Sequence, residues 1–439
     1  MRDVLAPQLI DRVAPNRFDE TEWLLAYLRA GEPRGPALML SLGEAWDGPP
    51  AGLLAALGRV PPEAHGYQLS MYGLPALRSR LARWIVDEQG IPSGAEGAAY
   101  DVAVSWGGPR SALSDFGRWL LERPGTGTGS PTLVAAYPGW EYHSVFGPQG
   151  FRFAPYLLRD EDGFRPDAGA LLRHLRAADR EARGAPRVVA INAQHNPTGI
   201  DWPAEVVREV VRFAMEAGWA LLLDDAHHAI HRVGSAPTSA LRVLIEEAGT
   251  EGPAPVPWLA VRSLGKQFAC NGWGLGAMAA PPAILQELVL DVRPRHQYNH
   301  SGHLQHAMAS WLDGQEAAEH GAEYRSRVER NRARVAAWLR EGQGYPGEAI
   351  PTGDCTSFML YPLPAAYGAL EDGPARFARE CLERTGVLLS AGALAPPVEC
   401  GCAVPYVRLF IGVPASRLDE ALDRIGAAGL GWDAPAPPA

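Results

Sequence analysis

The sequence predicts an α/β protein: a large, mostly parallel sheet covered by helices on both faces, with a smaller α+β part beside it. Three observations lead there. Short apolar runs recur after residue 100, as strands buried on both faces require. Amphipathic stretches at helical spacing separate several of them, and strands alternating with helices build parallel sheets. A chain of 439 residues also exceeds one ordinary core.

The buried strands are expected at 102–104, 132–135, 188–191, 220–223 and 258–261. Residues 204–217 carry a helical pattern between two of them. Polar and glycine-bearing residues follow each strand's C-terminal end, where open α/β sheets place ligands. A long helical stretch at 301–340 then leads to a strand-rich region around 357–361 and 406–411. Residues 45–300 are thus expected to form the larger domain, with 1–44 rejoining 301–439 in the smaller one. The tail Ala434-Pro435-Ala436-Pro437-Pro438-Ala439 reads as disordered.

Composition excludes several classes. The chain is 47% hydrophobic and 21% charged, as globular proteins are. A net charge of −10, without a basic block, argues against nucleic acid. No apolar stretch is long enough to cross a bilayer. The start, Met1-Arg2-Asp3-Val4, opens an amphipathic segment without a signal-peptide pattern. Five irregularly spaced cysteines (Cys270, Cys355, Cys381, Cys400 and Cys402) fit a reducing cytoplasm.

Of the 40 Lys and Arg residues, only Lys266 is a lysine. Arginine stays charged near neutral pH, whereas a desolvated lysine becomes a neutral amine nucleophile. Lys266 directly follows an expected strand, where a dry pocket lowers an amine's pKa and frees it to form an imine. The plain alternative is a surface lysine on a loop. Other strand ends supply what an imine with a pyridine cofactor needs. Asp224 ends the 220–223 run, where a carboxylate can pair with a protonated ring nitrogen or simply cap a helix. Asn196, in Asn196-Pro197-Thr198-Gly199, either donates to a phenolic oxygen or belongs to a good turn. Gly107-Gly108-Pro109-Arg110 precedes a helix, making either a phosphate cradle with a guanidinium or an ordinary strand-to-helix turn.

The order of a glycine-rich turn, Tyr137-Pro138-Gly139-Trp140, Asn196-Pro197-Thr198-Gly199, Asp224, Ser263-x-x-Lys266 and Arg408 resembles the class I/II aminotransferases. The resemblance covers nearly the whole chain. It implies fold type I, with a mostly parallel seven-stranded sheet, and pyridoxal 5'-phosphate bound to Lys266. It further implies that Tyr137, or alternatively Trp140, stacks on the pyridine and that Ser263 binds phosphate. Arg408 would hold the substrate's α-carboxylate by a two-point contact. A homodimer follows by the same resemblance, with Tyr67 or Tyr72 completing the site across it.

The chain departs from the family pattern at four points. Gly274 stands where the family has a phosphate-binding arginine, Gly265 where it has a serine, and His227 where it has a tyrosine donor to the phenolic oxygen. Pro109 removes one backbone donor from the phosphate cradle. Gly108 and Arg110 remain, and Arg110 is expected to supply the missing charge.

Several stretches resemble the 1-aminocyclopropane-1-carboxylate (ACC) synthase branch: Leu42-Gly43-Glu44, Tyr72-Gly73-Leu74-Pro75, and the run from Ser301 through Gln305 and His306 to Leu312. This implies that Glu44 and Tyr72 touch substrate. It further implies γ-elimination or γ-replacement on S-adenosylmethionine, with a second co-substrate in a biosynthetic variant. An amino-acid aminotransferase is the alternative, and a non-catalytic relative a third. His296, His300, His303 and His306 lie close in sequence but lack a carboxylate or cysteine to complete a zinc site. No metal is expected.

Overall fold

The computed structural model describes residues 19–43, 48–123, 127–351, 353–394 and 404–435. The amphipathic start, Glu44, Cys400, Cys402 and the tail after Pro435 lie outside them. Among the described residues the strands are β1 (Leu38–Met39), β2 (Asp101–Ser105), β3 (Thr132–Tyr137), β4 (Arg152–Leu157) and β5 (Arg187–Ile191). There follow β6 (Ala220–Asp224), β7 (Trp258–Ser263), β8 (Gly276–Ala280), β9 (Phe358–Pro362), β10 (Val387–Leu388) and β11 (Tyr406–Phe410).

Seven strands form one sheet in the order β2-β8-β7-β6-β5-β3-β4, in which only β8 runs against its neighbours. Alternation along each strand feeds two cores. Val189, Leu221 and Leu223 pack with Val207, Val210 and Phe213 of the Ala204–Ala217 helix. Val188, Leu222 and Leu259 point the other way, to Leu113 and Phe116 of the Gly108–Leu121 helix. Burial on both faces explains the continuous apolar runs.

Two strands escape the apolar-run criterion. β4 carries Pro155 and β8 reads Gly-Ala-Met-Ala-Ala, so neither has the branched residues that mark a strand. The expected 301–340 helix is two, Gly302–Leu312 and Gln315–Ala337, because the backbone turns extended at Gly314 (φ −86°, ψ 150°). The first of these packs on the Ala51–Leu57 and Pro75–Gln89 helices, and its Met308, Ala309 and Trp311 join the large core. That core therefore reaches beyond residue 300.

A further core, including Tyr361, Phe377, Val407 and Leu418, gathers around antiparallel β9 and β11. The N-terminal segment enters it through β1, which pairs in parallel with β10. Ser390 and Arg408 bridge β10's end to β11. No helix among the described residues is long and apolar enough to cross a membrane.

Candidate active site

Five parallel strands deliver side chains to one place. The ends of β2, β3, β5, β6 and β7 bring Gly107 to Arg110, Trp140, Asn192 with Asn196, Asp224 with His227, and Ser263 with Lys266 around a cavity of about 330 Å³. Ligands bind at such carboxyl ends in open α/β sheets. Lys266 also lines a second cavity, of about 770 Å³, reached by Arg408. Its half-buried amine is where the two meet.

At one end of the small cavity the Gly108–Leu121 helix begins, with unpaired amides typical of a helix N-terminus. The Gly108 N–H donates to the Gly274 carbonyl at 2.6 Å, and Pro109 has none to offer. The first turn can thus present the amides of Gly107 and Arg110, beside the buried Ser263 hydroxyl. Gly274 has φ +64°, and a Cβ there would stand 3.3 Å from the Trp106 carbonyl. An arginine would be strained at this position. The Arg110 guanidinium is committed locally, 2.6 Å from Glu141 and 3.1 Å from the Ser144 hydroxyl, over the Trp140 ring. It stands at the cavity but shares its charge with Glu141.

At the other end Asp224 Oδ2 accepts from the Tyr142 hydroxyl at 2.6 Å, and Oδ1 from the Ala226 N–H at 3.1 Å. Burial pushes this carboxyl up, while Tyr142, Ala226 and Lys266 pull it back. Asn192 ties the strand ends together: its Nδ2 donates to the Asp224 carbonyl at 2.8 Å and its Oδ1 accepts from the Asn196 N–H at 2.8 Å. Trp140 lines both cavities, whereas Tyr137 is 5% exposed and donates its hydroxyl to the Leu394 carbonyl at 2.7 Å. Of the two aromatics, Trp140 reaches the cavities and Tyr137 does not. His227 is buried against Phe358, with neither ring nitrogen hydrogen-bonded among the described residues. Burial, then the charges of Lys266 and Arg408, holds it well below the usual histidine range, so the ring is neutral.

The large cavity is assembled from distant segments. Arg408 donates from Nη2 to the Ser41 carbonyl at 2.7 Å and from Nη1 to Asn196 Oδ1 at 3.3 Å, its guanidinium 4.1 Å over the Phe358 ring. Its Nε has no partner among the described residues. Loss of water pushes it down to about 10, opposed by the Glu20 and Glu141 carboxylates. Gly43 closes this side: Asn271 holds its carbonyl at 2.8 Å, and a Cβ there would meet the Phe358 ring at 2.8 Å and the Lys266 amine at 3.6 Å.

Other expected residues lie elsewhere. Tyr72 lines neither cavity of its own chain and packs under Arg78. His296 meets Asp115, His300 meets the Ser70 carbonyl and Gln305, and His303 stacks on His65. No metal-binding cluster occurs among the described residues. Asp225 faces away from the cavity, to Gln89. Asn192, Tyr142 and Glu20 were not anticipated. Asn192 alone carried a signal, being the first polar residue after β5.

The donor set fits pyridoxal 5'-phosphate: one cavity is lined by an amine, a buried carboxylate, a helix N-terminus, an indole, and a buried His227 without hydrogen-bond partners among the described residues. A family model described as aminotransferase class I and II matches residues 61–425. A probable aspartate/prephenate aminotransferase of Thermus aquaticus is 27% identical over 366 residues, 81% of this chain and 82% of its own. An LL-diaminopimelate aminotransferase of Dehalococcoides mccartyi is 24% identical over 426 residues, 95% and 97% of the two chains. Among solved structures, substrate-bound BacF from Bacillus subtilis superposes with a TM-score of 0.77 at 21% identity, covering 98% of this chain and 99% of its own. Aspartate aminotransferase from Thermus thermophilus with maleate gives 0.73 at 22%, covering 98% and 100%.

Proposed function

The chain belongs to the class I and II aminotransferase family of pyridoxal 5'-phosphate enzymes, and from that premise we propose that it is an amino-acid aminotransferase working through Lys266. The observation that carries this is the meeting of two cavities at one amine, with Asp224 on one side, Arg408 on the other and Asn196 lining both. When bound, the cofactor supplies an electron sink for negative charge at the substrate's α-carbon.

Each residue's task follows from its position. Arg408 takes the α-carboxylate with its planar fork, placing the α-hydrogen beside Lys266. Lys266 holds the cofactor between turnovers, then removes and returns the α-proton as a general base. Asp224, kept in place by Tyr142, holds a proton on the ring nitrogen. Asn196, whose Oδ1 accepts from Arg408, and His227 would hold the phenolic oxygen. The amides of Gly107 and Arg110 with the Ser263 hydroxyl would hold the phosphate, and Trp140 would exclude water from the ring.

The named relatives are aminotransferases, which favours transamination over γ-elimination or γ-replacement on S-adenosylmethionine. A homodimer is the companion proposal, supported by the exposure of Tyr67 (73%) and Leu69 (96%) beside Tyr72. Light scattering at micromolar concentration tests it; a monomer rejects it.

The functional test mixes purified protein and cofactor with amino acids one at a time. Transamination yields a 2-oxo acid and leaves pyridoxamine 5'-phosphate. Methylthioadenosine released from S-adenosylmethionine, with no oxo acid from any amino acid, would refute the aminotransferase reading.

A further inference from the structure

The large cavity holds one charge for which the reaction has no use. Glu20, in the first turn of the Asp19–Arg29 helix, lines its wall and is only 6% exposed. Its Oε1 accepts from the Gly392 N–H at 2.7 Å and the Ser390 hydroxyl at 3.2 Å. Its Oε2 has no hydrogen-bond partner among the described residues, and Glu20 forms no ion pair there. Glu20 and the Arg408 guanidinium, which line the same cavity, attract each other, so the carboxylate loses that compensation when a substrate carboxylate takes Arg408.

The other charges around the cavity have partners. Glu141 is paired with Arg110 at 2.6 Å. Arg408 is taken up by the substrate's α-carboxylate, and Lys266 by the cofactor. Once substrate binds, the negative charge of Glu20 is the one left over. Ser390, which hydrogen-bonds Glu20, also bridges to Arg408 through the backbone, so both ends of the recognition are set by one stretch of chain. The wall of the same cavity also carries Leu24, Met39 and Leu388, surface that suits methylene groups.

We infer that Glu20 binds the positively charged end of the substrate's side chain, so that the enzyme takes amino acids with an aliphatic stem ending in an ammonium, guanidinium or sulfonium group. The inference rests on the reading of this cavity as the amino-acid site, and its test is separable from that reading. Glu20→Gln keeps Oε1 and both of its donors while removing the charge.

The probe is 4-(trimethylammonio)butanoate, which has a carboxylate for Arg408, a fixed cation for Glu20 and no amine to react with the cofactor. Its neutral isostere is 5,5-dimethylhexanoate. Calorimetric titration of the holoprotein is expected to show the cation bound at least about tenfold more tightly than the isostere, as desolvated charge pairs give. In Glu20→Gln the two are expected to bind alike, with the isostere's affinity unchanged. Equal affinities in the natural protein, or a gap that survives the substitution, overturn the inference.

A kinetic arm separates the cation classes. Lysine is compared with norleucine, arginine with citrulline, and S-methylmethionine with methionine. Preference within the first pair assigns the ammonium, within the second the guanidinium and within the third the sulfonium, the change falling on KM and lost in Glu20→Gln. Absence of all three preferences overturns the inference. Failure of all amino acids to react, with the probe's charge preference intact, removes the transamination reading alone.

Discussion

The two cavities that share Lys266 are built on different plans. The smaller is framed by strand ends of a single sheet, each within a few residues of a buried strand, and cross-tied by Asn192 and Tyr142. The larger draws on the Asp19–Arg29 helix, the segment at β1, the turn after β3, and the stretch between β10 and β11. The first is a fixed socket whose geometry follows from the sheet. The second depends on how the N-terminal segment and the smaller core lie against it. A family can therefore keep its cofactor chemistry while its substrates change.

Lys266→Ala strikes both cavities and has the largest expected effect. Losing the covalent anchor and the base together lowers kcat by about 10⁴-fold or more. Borohydride should then fail to fix the cofactor, while the thermal midpoint stays within a few degrees of the natural protein. A variant retaining a tenth of its activity would remove Lys266 from the chemistry. Arg408→Lys should separate the two plans. The planar fork is lost but the charge stays, so kcat/KM for amino acids falls on the order of 10²-fold, with cofactor affinity falling far less because Arg408 touches that site only through Asn196. Equal loss of both would mean that the cavities are not independent.

Much of the small cavity is legible in the sequence, and the reason is local. Asp224, Asn196 and Lys266 each follow an apolar run, so strand and site residue appear together in a few positions of sequence. Tyr137 against Trp140 was undecidable, because both follow β3 and only side-chain direction separates them. Glu20 was invisible: an acidic residue at a helix start reads as an ordinary surface group until Ser390 and Gly392 are folded over it. Strands β4 and β8 were missed because Pro155 in one and the small residues of the other carry no β-branched signal. Gly274 looked like a missing cation, whereas in the fold its carbonyl secures the turn that carries Gly108.

The burial around the socket also predicts a response to acid. His195, hydrogen-bonded to Thr198 at 2.8 Å, is pushed down to about 3 by burial, and His227 and His228 are held low as well. Below roughly pH 6.5, the ordinary histidine value, the unfolded chain takes up protons that these folded rings refuse, so stability falls as pH drops. At pH 5 His195 alone contributes a loss of about 2 kcal/mol. Asp225, pushed up to about 6 by burial, opposes this: protonated when folded, it adds stability as pH falls from about 6 toward 4. Unfolding midpoints in denaturant between pH 8 and pH 5 should decline less in His195→Asn than in the natural protein. Parallel declines would show that His195 is not held neutral.

Arg110→Ala gives the smallest effect and tests the seam between the regions, since Arg110 lines the socket and its partner Glu141 lines the larger cavity. A guanidinium free to face the phosphate would make its loss costly. Here the charge is shared with Glu141 and half exposed to water, so cofactor affinity should weaken only about tenfold. The substitution also releases the Glu141 carboxylate into the larger cavity. A substrate with a cationic side chain should then bind slightly more tightly, lowering its KM, even as the cofactor binds less well. Opposite movement of the two affinities is the signature of a pair spanning both regions. A loss of cofactor affinity beyond a hundredfold, with KM unmoved, would instead place Arg110 on the phosphate and leave Glu141 a bystander.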